Sequence, residues 1–126
     1  MKPTLYEELG GAQAVRTLVD RFYDHMDTVP FAAEIRAMHP DDLQGSRDKL
    51  FGFLSMWTGG PRTYVEERGH PRLRARHLPF VVDVAARDAW VGCMALALEE
   101  TVEDKALRDG LLRAFAGIAD HMRNQP

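Results

Sequence analysis

Apolar residues recur every three or four positions over long parts of the chain, whereas the strict alternation typical of strands is nearly absent. Between residues 12 and about 28 the apolar stripe extends for about four turns, which predicts an amphipathic helix. Upstream of it, Thr4 with Glu7 three residues later forms a capping-box sequence. A short first helix should therefore begin there and end at the glycine pair 10–11.

The same periodicity predicts three further long helices. One follows Asp41 or Asp42, either of which can cap it, and ends near Trp57. Another is capped by Asp83, and a last helix covers about residues 104–122. The pattern therefore predicts an all-α protein with four long helices and some short ones.

Two segments lack sustained periodicity. Residues 59–79 form a long connection with only short turns of helix expected around 62–67 and 72–77, and long irregular connections in small domains are usually functional. This connection contains most of "GHPRLRARHLPF" (69–80), which is rich in arginine, histidine and proline. The other segment, residues 123–126, is expected to fray.

Composition narrows the class of protein. A chain of 126 residues has the length of one domain, and 45% apolar with 28% charged residues suits a globular protein. The formal net charge of −3 argues against a protein that coats nucleic acid, so the arginines at 69–80 have a local purpose. No signal peptide or membrane-spanning run is visible, so we expect a cytoplasmic protein without a nucleic-acid or membrane partner.

Several kinds of active site have no sequence support. There is no HExxH zinc motif, phosphate-binding glycine loop, GxGxxG fingerprint or nucleophile elbow. Cys93 is the only cysteine, which excludes an intrachain disulfide and a cysteine-rich zinc site. It could pair with His77 as nucleophile and base, but a thiol in an apolar helix is usually inert.

His77 precedes an apolar run at 78–82 and admits two interpretations. It is a hydrogen-bonded structural histidine, or its neutral imidazole binds a metal such as haem iron at the edge of an apolar cavity. In the second case the arginines nearby would pair with the haem propionates. Otherwise they form a solvated basic loop or a surface patch for an anionic polymer.

Four other side chains also admit structural or functional interpretations. Tyr23 is a boundary tyrosine, Trp90 a core residue, His39 a loop histidine and Ser46 a helix-start residue. Together they could instead place hydrogen-bond donors around an apolar pocket. Spacing alone does not decide between these possibilities.

Four stretches resemble the group II truncated haemoglobins: "LYEELGG" (5–11), "RFY" (21–23), "FLSMWTGGPRTYVEERGHPRLRARHLPF" (53–80) and "RDAWVGCM" (87–94). The similarity extends over about residues 4–122. It implies one truncated globin domain over residues 1–126, a two-over-two helical sandwich that encloses haem b (iron protoporphyrin IX).

The resemblance also implies roles for individual residues. His77 would be the proximal iron ligand, and Tyr23 and Trp90 the distal hydrogen-bond donors, with Phe22 as the core neighbour of the tyrosine. His39 falls at a variable corner position, and Ser46 falls where many globins have a distal histidine. Further cofactor contacts are implied at the propionates for Arg76, Lys49 and Tyr64, in the apolar wall for Leu50, Phe53 and Leu54, and elsewhere for Phe80 and Met94.

The function implied is the binding of oxygen, nitric oxide and carbon monoxide at a penta-coordinate iron. A donor-rich pocket retains oxygen tightly, so redox or scavenging chemistry on nitric oxide, peroxide or sulfide is expected rather than bulk oxygen transport. Nitric oxide dioxygenase or peroxidase-like activity, a reductase partner and a homodimer all stay open. The alternatives are a diatomic sensor or buffer and a haem-free helical module whose basic loop meets an acidic partner.

Overall fold

A computed structural model describes residues 2–126, all of the chain except Met1. Within that range the protein consists of helices and contains no strand, which confirms the predicted all-α class. The helices are α1 (Leu5–Leu9), α2 (Ala12–Thr28), α3 (Ala33–Ala37), α4 (Gln44–Trp57), α5 (Thr63–Arg68), α6 (Leu73–His77), α7 (Val84–Thr101) and α8 (Lys105–His121), with a single 3₁₀ turn at Pro30–Ala32. None of these helices is both long and apolar enough to cross a membrane.

The four long helices α2, α4, α7 and α8 pack around one apolar core. Helix α7 contacts both α2 and α8, and α2 also contacts α4. The stripe predicted on α2 is the face that is buried, including Leu18, Phe22 and Met26. Phe115 of α8 is equally buried and closes the core from the opposite side.

Local signals fixed several helix ends as predicted. The Thr4 hydroxyl accepts from the Glu7 backbone N–H at 3.1 Å, and Gly10 ends α1 in the left-handed conformation at φ 113°. The Asp83 carboxylate accepts from the Ala86 backbone N–H at 2.8 Å and so caps α7. Side-chain caps therefore set the start of α1 and α7.

The predicted start of α4 needs correction. The residue at its N-cap is Leu43, which offers no side-chain cap, so neither Asp41 nor Asp42 caps the helix in the usual way. Asp42 still helps, because its carboxylate accepts from the backbone N–H of Gln44 at 2.9 Å. Since that bond spans two residues, it belongs to a local turn that leads into the helix.

The prediction that residues 123–126 fray is wrong for Asn124. Its backbone N–H donates to the Val82 carbonyl at 2.9 Å, and its side chain makes further bonds to the segment between α6 and α7. A tertiary contact therefore orders this part of the chain, although its position at the C-terminal end favoured fraying.

Candidate functional site

His77 is the last residue of the short helix α6 and is half-buried. Its Nδ1 lies 2.6 Å from the carbonyl oxygen of Leu73, one turn earlier in the helix. Because a carbonyl only accepts hydrogen bonds, Nδ1 carries the proton, and in the neutral imidazole Nε2 then has the lone pair. A histidine fixed in this way is prepared to bind a metal through Nε2.

The segment that follows His77 exposes large apolar side chains, namely Leu78, Phe80 and Val81. Contiguous apolar surface of this kind marks a place where a ligand or partner binds. An apolar macrocycle that carries a metal matches both this surface and the free imidazole nitrogen. The residues present therefore fit a haem group at His77.

Tyr23 of α2 is only 6% exposed, and its ring packs edge-on against Phe22 and His39 at centroid distances of 4.9 and 5.9 Å. Burial raises the pKa of the Tyr23 hydroxyl, and the nearby charge of Arg47 lowers it to a smaller extent. The hydroxyl is therefore protonated at neutral pH. It donates to no other group between Lys2 and Pro126, so it is available to a ligand.

His39 lies beside Tyr23, with a distance of 5.9 Å between the ring centroids. Its Nδ1 lies 2.7 Å from the Ile35 carbonyl oxygen, so it too keeps a free Nε2. Burial lowers the pKa of His39, the hydrogen bond to the Ile35 carbonyl opposes this in part, and the charges of Arg36 and His77 lower the pKa by smaller amounts. His39 is therefore neutral at pH 7.

Trp90 of α7 is half-buried and packs 5.1 Å from the Phe22 ring and 6.5 Å from the Phe115 ring. Since Phe22 also packs against Tyr23, one phenylalanine connects the two predicted donors. The indole N–H makes no hydrogen bond to any residue that the structure describes. The structure thus places His39 against Tyr23, while Trp90 packs on Phe22, the residue before Tyr23 in the sequence.

The predicted apolar wall divides into two groups. Leu50 and Phe53 of α4 are half-buried, and the Phe53 ring packs 6.1 Å from that of Tyr64. Leu54 and Met94, in contrast, are fully enclosed by the helical core. Contact of these residues with a cofactor stays a prediction.

Comparisons with known proteins show the family to which this chain belongs. The family model "Bacterial-like globin" matches residues 4–124. The chain is 38% identical to group 2 truncated hemoglobin YjbI of Bacillus subtilis (strain 168) over 120 residues, which cover 95% of this chain and 88% of that protein. This chain belongs to the group II truncated haemoglobins.

Solved structures of such proteins have the same fold. The cold-adapted truncated hemoglobin of the Antarctic marine bacterium Pseudoalteromonas haloplanktis TAC125 superposes with a TM-score of 0.96 at 44% identity, over 98% of this chain and all (100%) of that one. The group II 2-on-2 hemoglobin of Agrobacterium tumefaciens does so with a TM-score of 0.96 at 46% identity, over 99% and 97% of the two chains. The predicted two-over-two truncated globin fold is therefore confirmed, and membership of the family implies haem-based binding of diatomic ligands.

The truncated haemoglobin offers no competing catalytic centre of the kinds considered from sequence. Cys93 is 0% exposed, and burial raises the pKa of its thiol to about 11, so it is protonated at neutral pH. No group of three or more histidine, cysteine or acidic side chains is placed to hold a metal ion in the described part of the chain.

The polar residues predicted at the cofactor edge are spread around the site. Arg76 and Lys49 are exposed and form no ion pair within residues 2–126, and Tyr64 is buried beneath α4. Ser46 is half-buried on the first turn of α4. Both cations are thus free to meet an anionic group.

Two features near helix α6 have no signal in the sequence. One is a cavity of about 650 Å³ between α4, α6 and α8, with Phe53, Leu73 and Ile118 in its walls and Arg72 and Arg74 at its edge. The other is the set of bonds from Asn124 to the segment after His77. Both depend on how distant elements meet, and no local pattern indicates them.

Proposed function

We propose that this truncated haemoglobin holds haem b through His77 Nε2 and binds oxygen and other diatomic ligands beside Tyr23 and Trp90. The observation that carries the proposal is the bond between His77 Nδ1 and the Leu73 carbonyl, because in the neutral imidazole it assigns the proton to Nδ1 and the lone pair to Nε2. The apolar side chains that follow His77 support it. Leu50 and Phe53 are proposed to form the apolar wall of the haem site, and Leu54 and Met94, which are enclosed in the core, are proposed to support this wall.

Haem iron, when bound, supplies the position at which a diatomic ligand attaches. The chain contributes donors to that ligand: the hydroxyl of Tyr23, which burial keeps protonated, and the indole N–H of Trp90. His39, neutral at pH 7, is a third group within reach of Tyr23. Ser46 is too short a side chain to replace a distal histidine, so Tyr23 and Trp90 carry this task.

The propionates are proposed to meet cations at the edge of the site. Arg76 lies next to His77 and, like Lys49 on α4, has no acidic partner among the described residues. Charge-assisted bonds of this type stabilise a complex by about 1.5–3 kcal/mol each and by less where they are exposed. Arg76 is the stronger candidate for a propionate partner because it directly precedes His77 on α6. Tyr64 and Phe80 are proposed as further contacts of the haem.

A pocket with two donors favours retention over rapid exchange. Each bond from Tyr23 or Trp90 to a partly negative ligand contributes about 1–3 kcal/mol, which is roughly 5- to 150-fold in affinity and acts mainly on release. A protein that releases oxygen slowly is a poor carrier. We therefore infer a redox or scavenging role on nitric oxide, peroxide or sulfide rather than transport.

Spectroscopy of the purified protein and of His77→Gly tests the proposal. The wild-type protein should show a Soret band, and His77→Gly should lose the proximal bond, change its ferrous spectrum and recover it with added imidazole. His70→Gly is the matched control, because His70 is an exposed histidine of the same basic segment whose Nδ1 only accepts from the Arg72 backbone N–H at 3.1 Å. A colourless wild-type protein, or an unchanged spectrum in His77→Gly, would contradict the proposal.

A further inference from the structure

Asn124, which follows α8, makes four hydrogen bonds to the segment between α6 and α7. Its side-chain Nδ2 donates to the carbonyl oxygens of Phe80 at 2.9 Å and His77 at 3.3 Å, and its Oδ1 accepts from the Val82 backbone N–H at 3.0 Å. Its own backbone N–H donates to the Val82 carbonyl at 2.9 Å. One residue therefore holds both ends of the turn that leaves His77.

These partners define the chemistry required at position 124. Two carbonyls need a donor and one backbone N–H needs an acceptor, so only one orientation of the Asn124 amide satisfies all of them. A carboxylate of the same shape would face the two carbonyls with lone pairs. The position therefore requires a short amide rather than any polar side chain.

Apart from the proposed haem, few groups within residues 2–126 other than Asn124 hold this segment in place. Leu78, Phe80 and Val81 are exposed, so burial contributes little to fixing their backbone. Helix α6 has only five residues, and so short a helix is marginal without tertiary contacts. The position of its last turn must therefore be set from outside the helix.

Hydrogen bonds hold both the side chain and the backbone carbonyl of His77. Its side chain bonds to the Leu73 carbonyl at 2.6 Å, and its own carbonyl accepts from the Phe80 backbone N–H at 2.9 Å as well as from Asn124. Rotation of the His77 backbone would break these bonds and turn the imidazole. We propose that Asn124 is a positioning residue that fixes the direction in which His77 Nε2 points, an inference that rests on the proposed role of His77 as the haem ligand.

Asn124→Ala and Asn124→Asp test this role in the haem-loaded protein. We expect both variants to release haem to excess apomyoglobin about ten-fold faster than the wild type, equivalent to about 1.4 kcal/mol. The iron–histidine stretching band of the ferrous protein, measured by resonance Raman spectroscopy, should shift or broaden. Amide hydrogen exchange at Val82 should also accelerate, because its N–H loses the Asn124 acceptor in the alanine variant.

Gln125→Ala is the matched control, since Gln125 is exposed and reaches Val82 only through its backbone N–H at 3.3 Å. It should leave haem release, the Raman band and exchange at Val82 unchanged. Faster exchange in Asn124→Ala with an unshifted Raman band would mean that Asn124 only anchors the chain, which overturns the inference.

The two proposals fail in different ways. A wild-type protein with no Soret band, or one whose spectrum does not depend on His77, overturns both of them. Haem that is shown to be bound by His77 and that leaves Asn124→Ala at the wild-type rate overturns the role of Asn124 alone.

Discussion

The Tyr23→Phe substitution removes a single hydroxyl and separates the ligand-binding role of Tyr23 from its packing role. The contacts of Tyr23 with Phe22 and His39 are made by the ring, at 4.9 and 5.9 Å, and phenylalanine keeps them. The hydroxyl itself has no hydrogen-bond partner from residue 2 to residue 126. The free energy of unfolding should therefore change by less than about 1 kcal/mol.

Ligand retention should change much more than stability. Since burial raises the pKa of Tyr23, the hydroxyl is a neutral donor throughout the physiological range of pH. Loss of one such bond costs about 1–3 kcal/mol, so we expect oxygen release to accelerate roughly 5- to 150-fold. Carbon monoxide carries less negative charge and should be released only slightly faster.

Stopped-flow measurement of oxygen and carbon monoxide dissociation gives both rates on the same samples. Tyr6→Phe is the matched control, because Tyr6 lies on α1 against Gly60 and undergoes the same chemical change. If oxygen leaves Tyr23→Phe and Tyr6→Phe at the same rate, the Tyr23 hydroxyl is not a donor to the ligand. The distal role would then belong to Trp90.

Two further substitutions test the fold. Gly60→Ala should lower the free energy of unfolding by about 1–3 kcal/mol in urea denaturation, because a Cβ at this position would lie 2.5 Å from the Tyr6 ring, and a Tyr6→Ala background should remove most of that cost. Glu100→Gln should lower stability more at about pH 7 than at about pH 3, since hydrogen bonds from His25 and Arg21 hold the pKa of Glu100 below its ordinary value of 4.5. The stabilisation by Glu100 is complete above that value and is lost as the pH falls through the lower pKa of the folded state. Equal effects of Glu100→Gln at both pH values would contradict the assignment. An equal effect of the control Glu99→Gln, at the neighbouring residue, would contradict it as well.

The parts of the fold that could be predicted are those with local causes. The apolar stripe of α2 repeats within the helix itself, and the caps at Thr4 and Asp83 bind backbone N–H groups three residues away. The start of α4 was predicted less well. Its N-cap is Leu43, so packing and the turn at Asp42 start the helix, and neither leaves a recognisable cap in the sequence.

The site was only partly accessible from the residues themselves. Spacing placed Tyr23 and Trp90 beside apolar stripes but gave no reason for them to meet. The contact that joins their helices is made by Phe22, which precedes Tyr23 on α2 and packs against Trp90 on α7. The resemblance to group II truncated haemoglobins supplied the connection that periodicity lacked.

Asn124 shows why some functional positions stay hidden in a single sequence. Its bond to Val82 joins residues 42 positions apart, and an asparagine near the end of a helix is common in chains that fray there. Its partners are backbone groups, which every sequence has, so no complementary residue type marks the other side of the contact. The resemblance pointed to His77 through its motif, whereas the contacts of Asn124 with the segment after His77 become visible only when the fold brings the two segments together.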